Sequence, residues 1–420
     1  MANNLSSNIT RPLAKIFLEA FESSRVVTKT VNTQLLSGRF NPSTGSNVDF
    51  KRPHDYNTIR TAGGDISAST KSDIIAGKAT GTVQDYFTAA TEWSNIQQAL
   101  ELDQLDQILE PMARRLVTDL ELDLGLFMRK NTGLNYGARN TAVDAWSDVA
   151  GAGAMMDAVG VPMSDNKYYL MNPFTTTSLA SAQNGLNASD GLVRTAWEKA
   201  QISSNFGGMR ALTSNALSSY TSGSTTDRAG TLNGAPDATY VTAKDTMQQT
   251  LAIDALGTGT IVAGDQIQIA GVNRLNIATR QVMLDAAGAA VPWTGTVLST
   301  VTIAGNAASV VVSGAAIYEA NGQYNTVDAA PADGAVVTIL GSAATVYQPN
   351  LFYTEQAFGL GTVKLPKLYS TDTVATTSDG MSIRVSKYSD GDSNTQKIRF
   401  DLLPAYACFN PNFAGQGYGV

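Results

Sequence analysis

Leu102, Leu105, Leu109, Met112, Leu116, Leu120, Leu124 and Phe127 recur at spacings of three and four, which places them on one face of a long helix. Pro111 falls inside this run. Proline removes a backbone donor and crowds the preceding turn, so the helix is expected to kink or split there. A shorter stripe of Leu13, Ile16, Phe17, Ala20 and Phe21 follows Thr10 as N-cap and Pro12 just inside the helix. It predicts an amphipathic arm that docks either on the chain's own body or on another subunit.

Between these helices the pattern is lost. Residues 37–67 show no sustained period of either kind, and irregular stretches longer than about 12 to 15 residues are usually functional loops or linkers. Behind them "KATGTVQDYFTAA" partly alternates and predicts a returning strand, so 37–90 reads as one extended, hairpin-like loop. Beyond the long helix comes a glycine-rich bend, then a buried strand at 168–171, with Asn172 and Pro173 as cap and first position of a helix. A further helix is expected over 190–201 and a strand over 209–213.

Around Tyr220 the composition turns to Ser, Thr and Gly, and "SSYTSGSTTDRAGTLNGAP" reads as a linker or exposed loop. The runs "GTIVAGDQIQIAGV", "TVLSTVTIAG", "ASVVVSGAAIY" and "GAVVTILG" follow, short, β-branched and bounded by glycine, as in a compact barrel or sandwich. After Asn350 the earlier character returns, and "MSIRV", "SDGDSN" and "KIRF" predict a hairpin near the C-terminus. Neither flank alone makes a complete core. The fold class is therefore α+β, a body interrupted by an all-β insertion.

Composition narrows the chemistry. In 420 residues, 43% are hydrophobic and 15% charged, which describes a globular chain expected to be soluble, with no membrane span and no targeting segment. The net charge of -7 argues against a dedicated nucleic-acid binder, and most of it lies between 216 and 349, where nine acidic residues outnumber four basic ones. One histidine, His54, and one cysteine, Cys408, argue against a His/Cys zinc set and nearly exclude a Cys-His nucleophile pair. "SDIIAGKAT" fails as a phosphate loop, with Ser72 at the first glycine and Ala79 at the magnesium hydroxyl. Asp390, Asp392, Asn394 and Asp401 fall at calcium-loop positions, but Thr395 replaces the required glycine, and a plain hairpin turn is the better reading. No catalytic, cofactor-binding or metal residue is identified, so the chain is not expected to be an enzyme or to need a cofactor.

The ordered set of an amphipathic arm, "FKRPHDYNTIRTAGGDIS", "ARRLVTDLELDLGLFM", "YYLMNPF", "FGGMRALTSN", "GDQIQIAGV" and "IRFDLLPAYACFNPNFAGQGYG" resembles the major coat proteins of short-tailed double-stranded-DNA bacteriophages. These carry an inserted β-barrel domain on the Hong Kong 97-type capsid fold. The resemblance implies an arm at 1–36, an extended loop at 37–90 lying across a neighbouring subunit, and a peripheral domain at 91–166 with the long helix as its spine. It further implies an axial domain at 167–219 and 349–378, an inserted barrel at 220–348, and peripheral strands with the C-terminus at 379–420. The implied partners are other copies in hexamers and pentamers, a scaffolding protein, a portal at one vertex and packaged double-stranded DNA held non-specifically, without a membrane. The implied place is the virion capsid, assembled in the host bacterial cytoplasm. Lys51, Arg52, His54 and Arg60 on the loop, and Asp119, Glu121 and Asp123 on the spine, are candidate inter-subunit contacts through complementary charge. A β-rich tail or surface-adhesin component is the alternative. It would explain the Ser/Thr/Gly insertion but neither the long kinked helix nor the embedding of the insertion in the body.

Overall fold

The computed structural model describes residues 15, 17–36, 38–40, 45–94, 105–184, 199, 202–369 and 372–420. Thr10, Pro12, Leu13, Ile16 and Leu102 lie outside them, as does the helix expected over 190–201 apart from helical Lys199. The chain divides into two compact units.

The first unit comprises Met1–Asp49, Thr80–Gly125 and Phe358–Ala407. Residues 17–24 are helical, and Phe17 and Phe21 are buried. Phe17 stacks on Phe400 with ring centroids 3.8 Å apart, so the described part of the arm docks on its own chain. A four-stranded sheet runs in the order Thr373–Thr376, Ser382–Asp390, Thr395–Leu402, Phe87–Ser94. The returning segment forms two strands, Lys78–Val83 and Phe87–Ser94. The C-terminal hairpin is present, and Asp390 accepts the Asp392 amide at 3.1 Å across its turn. Asp401 lies opposite Arg384, whereas the turn closes where Asp390 pairs Thr395. Its carboxylate therefore belongs to a strand and not to a calcium loop.

The long helix Leu105–Lys130 is continuous through Pro111, which corrects the expected split. Proline removes one hydrogen bond and crowds one turn, a local cost. Burial of Leu109, Ala113, Leu116, Val117, Leu120, Leu124 and Met128 along one face outweighs that loss. From Leu126 the helix residues count with the second unit.

That second unit comprises Phe50–Ala79, Leu126–Ala357 and Cys408–Val420. It contains a six-stranded sheet in the order Leu134–Tyr136, Ala414–Gly417, Asn350–Thr354, Lys167–Met171, Met209–Thr213, Asn205–Phe206. Asn172 caps the helix Pro173–Asn184, its side-chain oxygen accepting the Thr175 amide at 2.7 Å. The stretch read as a glycine-rich bend contains the helix Trp146–Val159. Its glycines serve packing: a Cβ on Gly151 would stand 1.9 Å from the Tyr136 hydroxyl. Helix propensity misleads where close approach demands the smallest side chain.

The insertion is a closed barrel in the order Gln248–Asp254, Ala308–Ser313, Pro292–Val297, Gln266–Asn273, Val336–Ile339, Ala229–Leu232. Alternate residues fill it, among them Leu251, Ile253, Ile267, Ile269, Val310, Val312, Val337 and Ile339 around a fully buried Trp293. The Trp293 Nε1 donates to the Gly314 carbonyl at 2.9 Å. The stretch read as a linker or exposed loop is no linker: two of its segments are strands of this structure, with partly exposed loop between and after them. Ala229–Leu232 closes the barrel between two neighbours, and Tyr220–Thr221 pairs Val346–Tyr347. Ser222 donates to the Ser342 carbonyl at 2.6 Å and Thr225 to the Asp227 carbonyl at 3.0 Å, so small hydroxyl side chains are buried without loss of partners.

Candidate inter-subunit surface

The strands Asn47–Lys51 and Lys78–Val83 are neighbours in one sheet and carry the loop between them. Its roots are held by backbone and by one arginine. The Arg52 amide donates to the Gly77 carbonyl at 2.9 Å, and its guanidinium donates to the Lys78 carbonyl at 3.0 Å and to the Phe409 carbonyl. Burial is the main cause pulling the Arg52 guanidinium below its ordinary pKa, partly offset by Cys408, Tyr240 and Asp245. Lys51, His54 and Arg60 are exposed. So are four apolar side chains of the same loop, Tyr56, Ile59, Ile66 and Ile74, the last at 75%.

Besides Arg52, loop residues that were not singled out from the sequence also touch their own chain. Asp55 pairs with Arg280, and the Asn57 side-chain amide donates to the Asn321 carbonyl at 2.6 Å. No motif signals such a pair, because its members stand 225 positions apart.

The three spine carboxylates differ in kind. Asp119 is paired one turn back with Arg115 at 3.0 Å, an exposed pair worth about 0.3 to 0.5 kcal/mol. Asp123 accepts the Tyr406 hydroxyl at 2.9 Å. Glu121 is buried, and one of its oxygens accepts the Val26 amide, the Thr28 amide at 3.3 Å and the Thr28 hydroxyl at 3.4 Å. Desolvation raises its pKa above the usual carboxylate value against the opposing pull of those donors. Helical spacing puts all three on the spine, but only the packing separates a solvated carboxylate from one that clamps another segment.

A buried arginine group organises the second unit. Arg139 donates to Gln416 Oε1 at 3.1 Å, to Gln266 Oε1 at 3.2 Å and to the Tyr220 hydroxyl, and Arg129 lies 4.6 Å over the Tyr220 ring. Gln266 belongs to a barrel strand and Gln416 to the six-stranded sheet, so one guanidinium serves both. Among the described residues no three His, Cys, Asp or Glu side chains stand close enough to hold a metal ion.

A family model for the P22 coat protein, gene protein 5, matches residues 1–419. A major capsid protein of Acyrthosiphon pisum secondary endosymbiont phage 1 is 47% identical over 424 residues, covering 100% of both chains. Two solved structures are similar at low identity. One is the capsid of cyanophage P-SCSP1u, at 12% identity and a TM-score of 0.45 over 93% of this chain and 86% of that one. The other is from Mycobacterium phage Che8, at 13% identity and a TM-score of 0.46 over 94% and 89%.

Proposed function

The chain belongs to the P22 coat protein family and is a phage major capsid protein, and from that premise we propose how it builds its shell. Copies associate in hexamers and pentamers that close into an icosahedral particle around double-stranded DNA. The exposed part of the loop, carrying Tyr56, Ile59, Ile66 and Ile74 into solvent, is the observation that carries this reading, because four apolar side chains on one loop gain by burial against a second copy. Lys51, His54 and Arg60 add charge beside it and Asp119 offers an opposite charge on the spine. Arg52, Glu121 and Asp123 act by holding their own chain in shape. The loop lies across a neighbour, the spine helix supports a peripheral domain, and the strands at 167–219 and 349–378 form an axial domain.

Each contact of this kind is weak, and repetition around closed rings makes the sum large. A scaffolding protein and a portal at one vertex complete assembly in the host cytoplasm. DNA is met non-specifically, which suits a net charge of -7, since a tight phosphate grip would oppose packing and release. Negative-stain microscopy of the protein produced alone tests the reading. Closed or aberrant shells are expected; fibres or uniform small particles would overturn self-assembly into closed shells by this chain alone.

A further inference from the structure

The loop and the inserted barrel domain meet along a line of polar contacts within the second unit. On the outgoing side of the loop, the Asp55 carboxylate pairs with Arg280, which also donates to the Asn325 carbonyl at 2.7 Å. The Asp55 amide donates to the Tyr324 hydroxyl at 3.4 Å, and Asn57 reaches the Asn321 carbonyl. On the returning side, Gln323 donates to the Asp73 carbonyl at 2.5 Å and the Tyr324 hydroxyl donates to the Ile75 carbonyl at 3.5 Å. Ile75 packs against the cluster that contains Tyr240 and Tyr324, whose rings stack 3.7 Å apart. At Gly77 there is no room for a side chain, since a Cβ would stand 2.7 Å from the Lys244 carbonyl oxygen and 2.9 Å from the Tyr240 hydroxyl.

One short segment, 321–325, therefore touches both sides of the loop, and Tyr324 touches both with a single hydroxyl. The separation of the two sides is set from the insertion and not from within the loop. Between these anchor points the chain is largely exposed and carries Ile59 and Ile66 outward.

We propose that segment 321–325 together with Arg280 is a positioning cradle, which sets the pose of the loop in the free chain so that its apolar side chains meet a second copy already arranged. The inference rests on the reading of the loop as an inter-subunit contact. Its physical basis is pre-organisation: a loop held at both sides loses less conformational freedom when it docks. The individual contacts are partly exposed and weak, so the cradle shifts the population of loop poses without being needed for the fold.

Asp55→Ala with Asn57→Ala removes two loop-side contacts and touches no core residue. Asp55→Arg with Arg280→Asp restores the ion pair in reverse, and Arg280 has φ 57°, where aspartate is well tolerated. Deuterium exchange of the peptide spanning 52–60 in the free chain is expected to quicken about fivefold or more in the double-alanine variant and to return toward wild type in the swap. Assembly should slow and recover in parallel. If melting shows the double variant unfolded, Tyr324→Phe, which deletes only the shared hydroxyl, carries the same test. Unchanged exchange overturns the cradle. Faster exchange with wild-type assembly overturns its part in assembly, while wild-type shells would still support the coat-protein reading. Failure of the wild type to form any shell would defeat that underlying reading whatever the exchange shows.

Discussion

The inserted barrel and the loop that leans on it sit in the same unit, yet they are stabilised in opposite ways. The barrel closes on itself, and its strands bury alternate apolar residues around Trp293. The loop buries almost nothing of its own and depends on a few polar contacts with residues far away in sequence. A self-contained core yields a shape that persists in isolation. A surface held by scattered weak bonds stays available for a partner, at the cost of being easy to displace.

The sharpest test of this contrast is Trp293→Ala. It removes the largest side chain of the barrel core and the bond to Gly314, and should cost about 3 to 5 kcal/mol in denaturant unfolding. A loss below about 1 kcal/mol would mean that the barrel does not depend on its core in the way described.

Buried charge extends the comparison to the first unit. The Asp401 side chain is fully buried and accepts from Arg384 at 2.6 Å, Arg399 at 2.6 Å and Thr88 at 2.7 Å. Burial alone would raise its pKa, but these donors hold it below the ordinary carboxylate range. The folded state thus binds fewer protons than the unfolded one in that window. The stabilisation is present above the unfolded pKa and is lost as pH falls through the depressed folded value. Asp401→Asn should cost about 3 kcal/mol and flatten the acid limb of a pH-dependent melting series. An acid limb unchanged by the substitution would remove Asp401 from this role.

Glu121 runs the other way. Its folded pKa is raised, so its contribution is greatest below the unfolded pKa and is lost as pH rises through the folded value. Glu121→Ala leaves the Val26 and Thr28 amides without their acceptor and should cost about 1 to 3 kcal/mol. Glu121→Gln keeps an acceptor oxygen and should stay within about 1 kcal/mol of wild type at neutral pH, with a flatter pH dependence between the unfolded and the raised folded pKa. Equal melting losses for the two variants would show that the side chain's bulk, and not its acceptor, matters.

Two arginines of the loop give the smallest and most discriminating effect. Arg52→Ala removes bonds to the carbonyls of Lys78 and Phe409 and should lower stability by about 1 to 2 kcal/mol. Exposed Arg60→Ala should change the melting of the free chain by less than about 0.5 kcal/mol while slowing assembly at low salt. Coincident assembly rates for Arg60→Ala and wild type at low salt would leave Arg60 merely solvated.

Local pattern made much of this legible. The leucine spacing locates the long helix, Asn172 and Pro173 mark a helix start, and strand 209–213 appears where it is expected. Two readings failed for the same reason. The glycine-rich stretch before strand 168–171 reads as a bend and 218–236 as a linker or exposed loop, because glycine, alanine, serine and threonine carry little periodic signal of their own. Their structure depends on neighbours that need small side chains, as Tyr136 needs Gly151.

Periodicity and turn chemistry by themselves determined the α+β class, the long spine and the presence of an all-β insertion, since each depends on residues a few positions apart. Only the tertiary structure decided which charges are working groups and which are solvated. Asp55 meets Arg280 across 225 positions and Glu121 meets Val26 across 95, and no local pattern encodes a contact at such separations. Burial acts in the same way: Arg52 and Arg60 are alike in sequence, and the packing around the first alone gives it structural work.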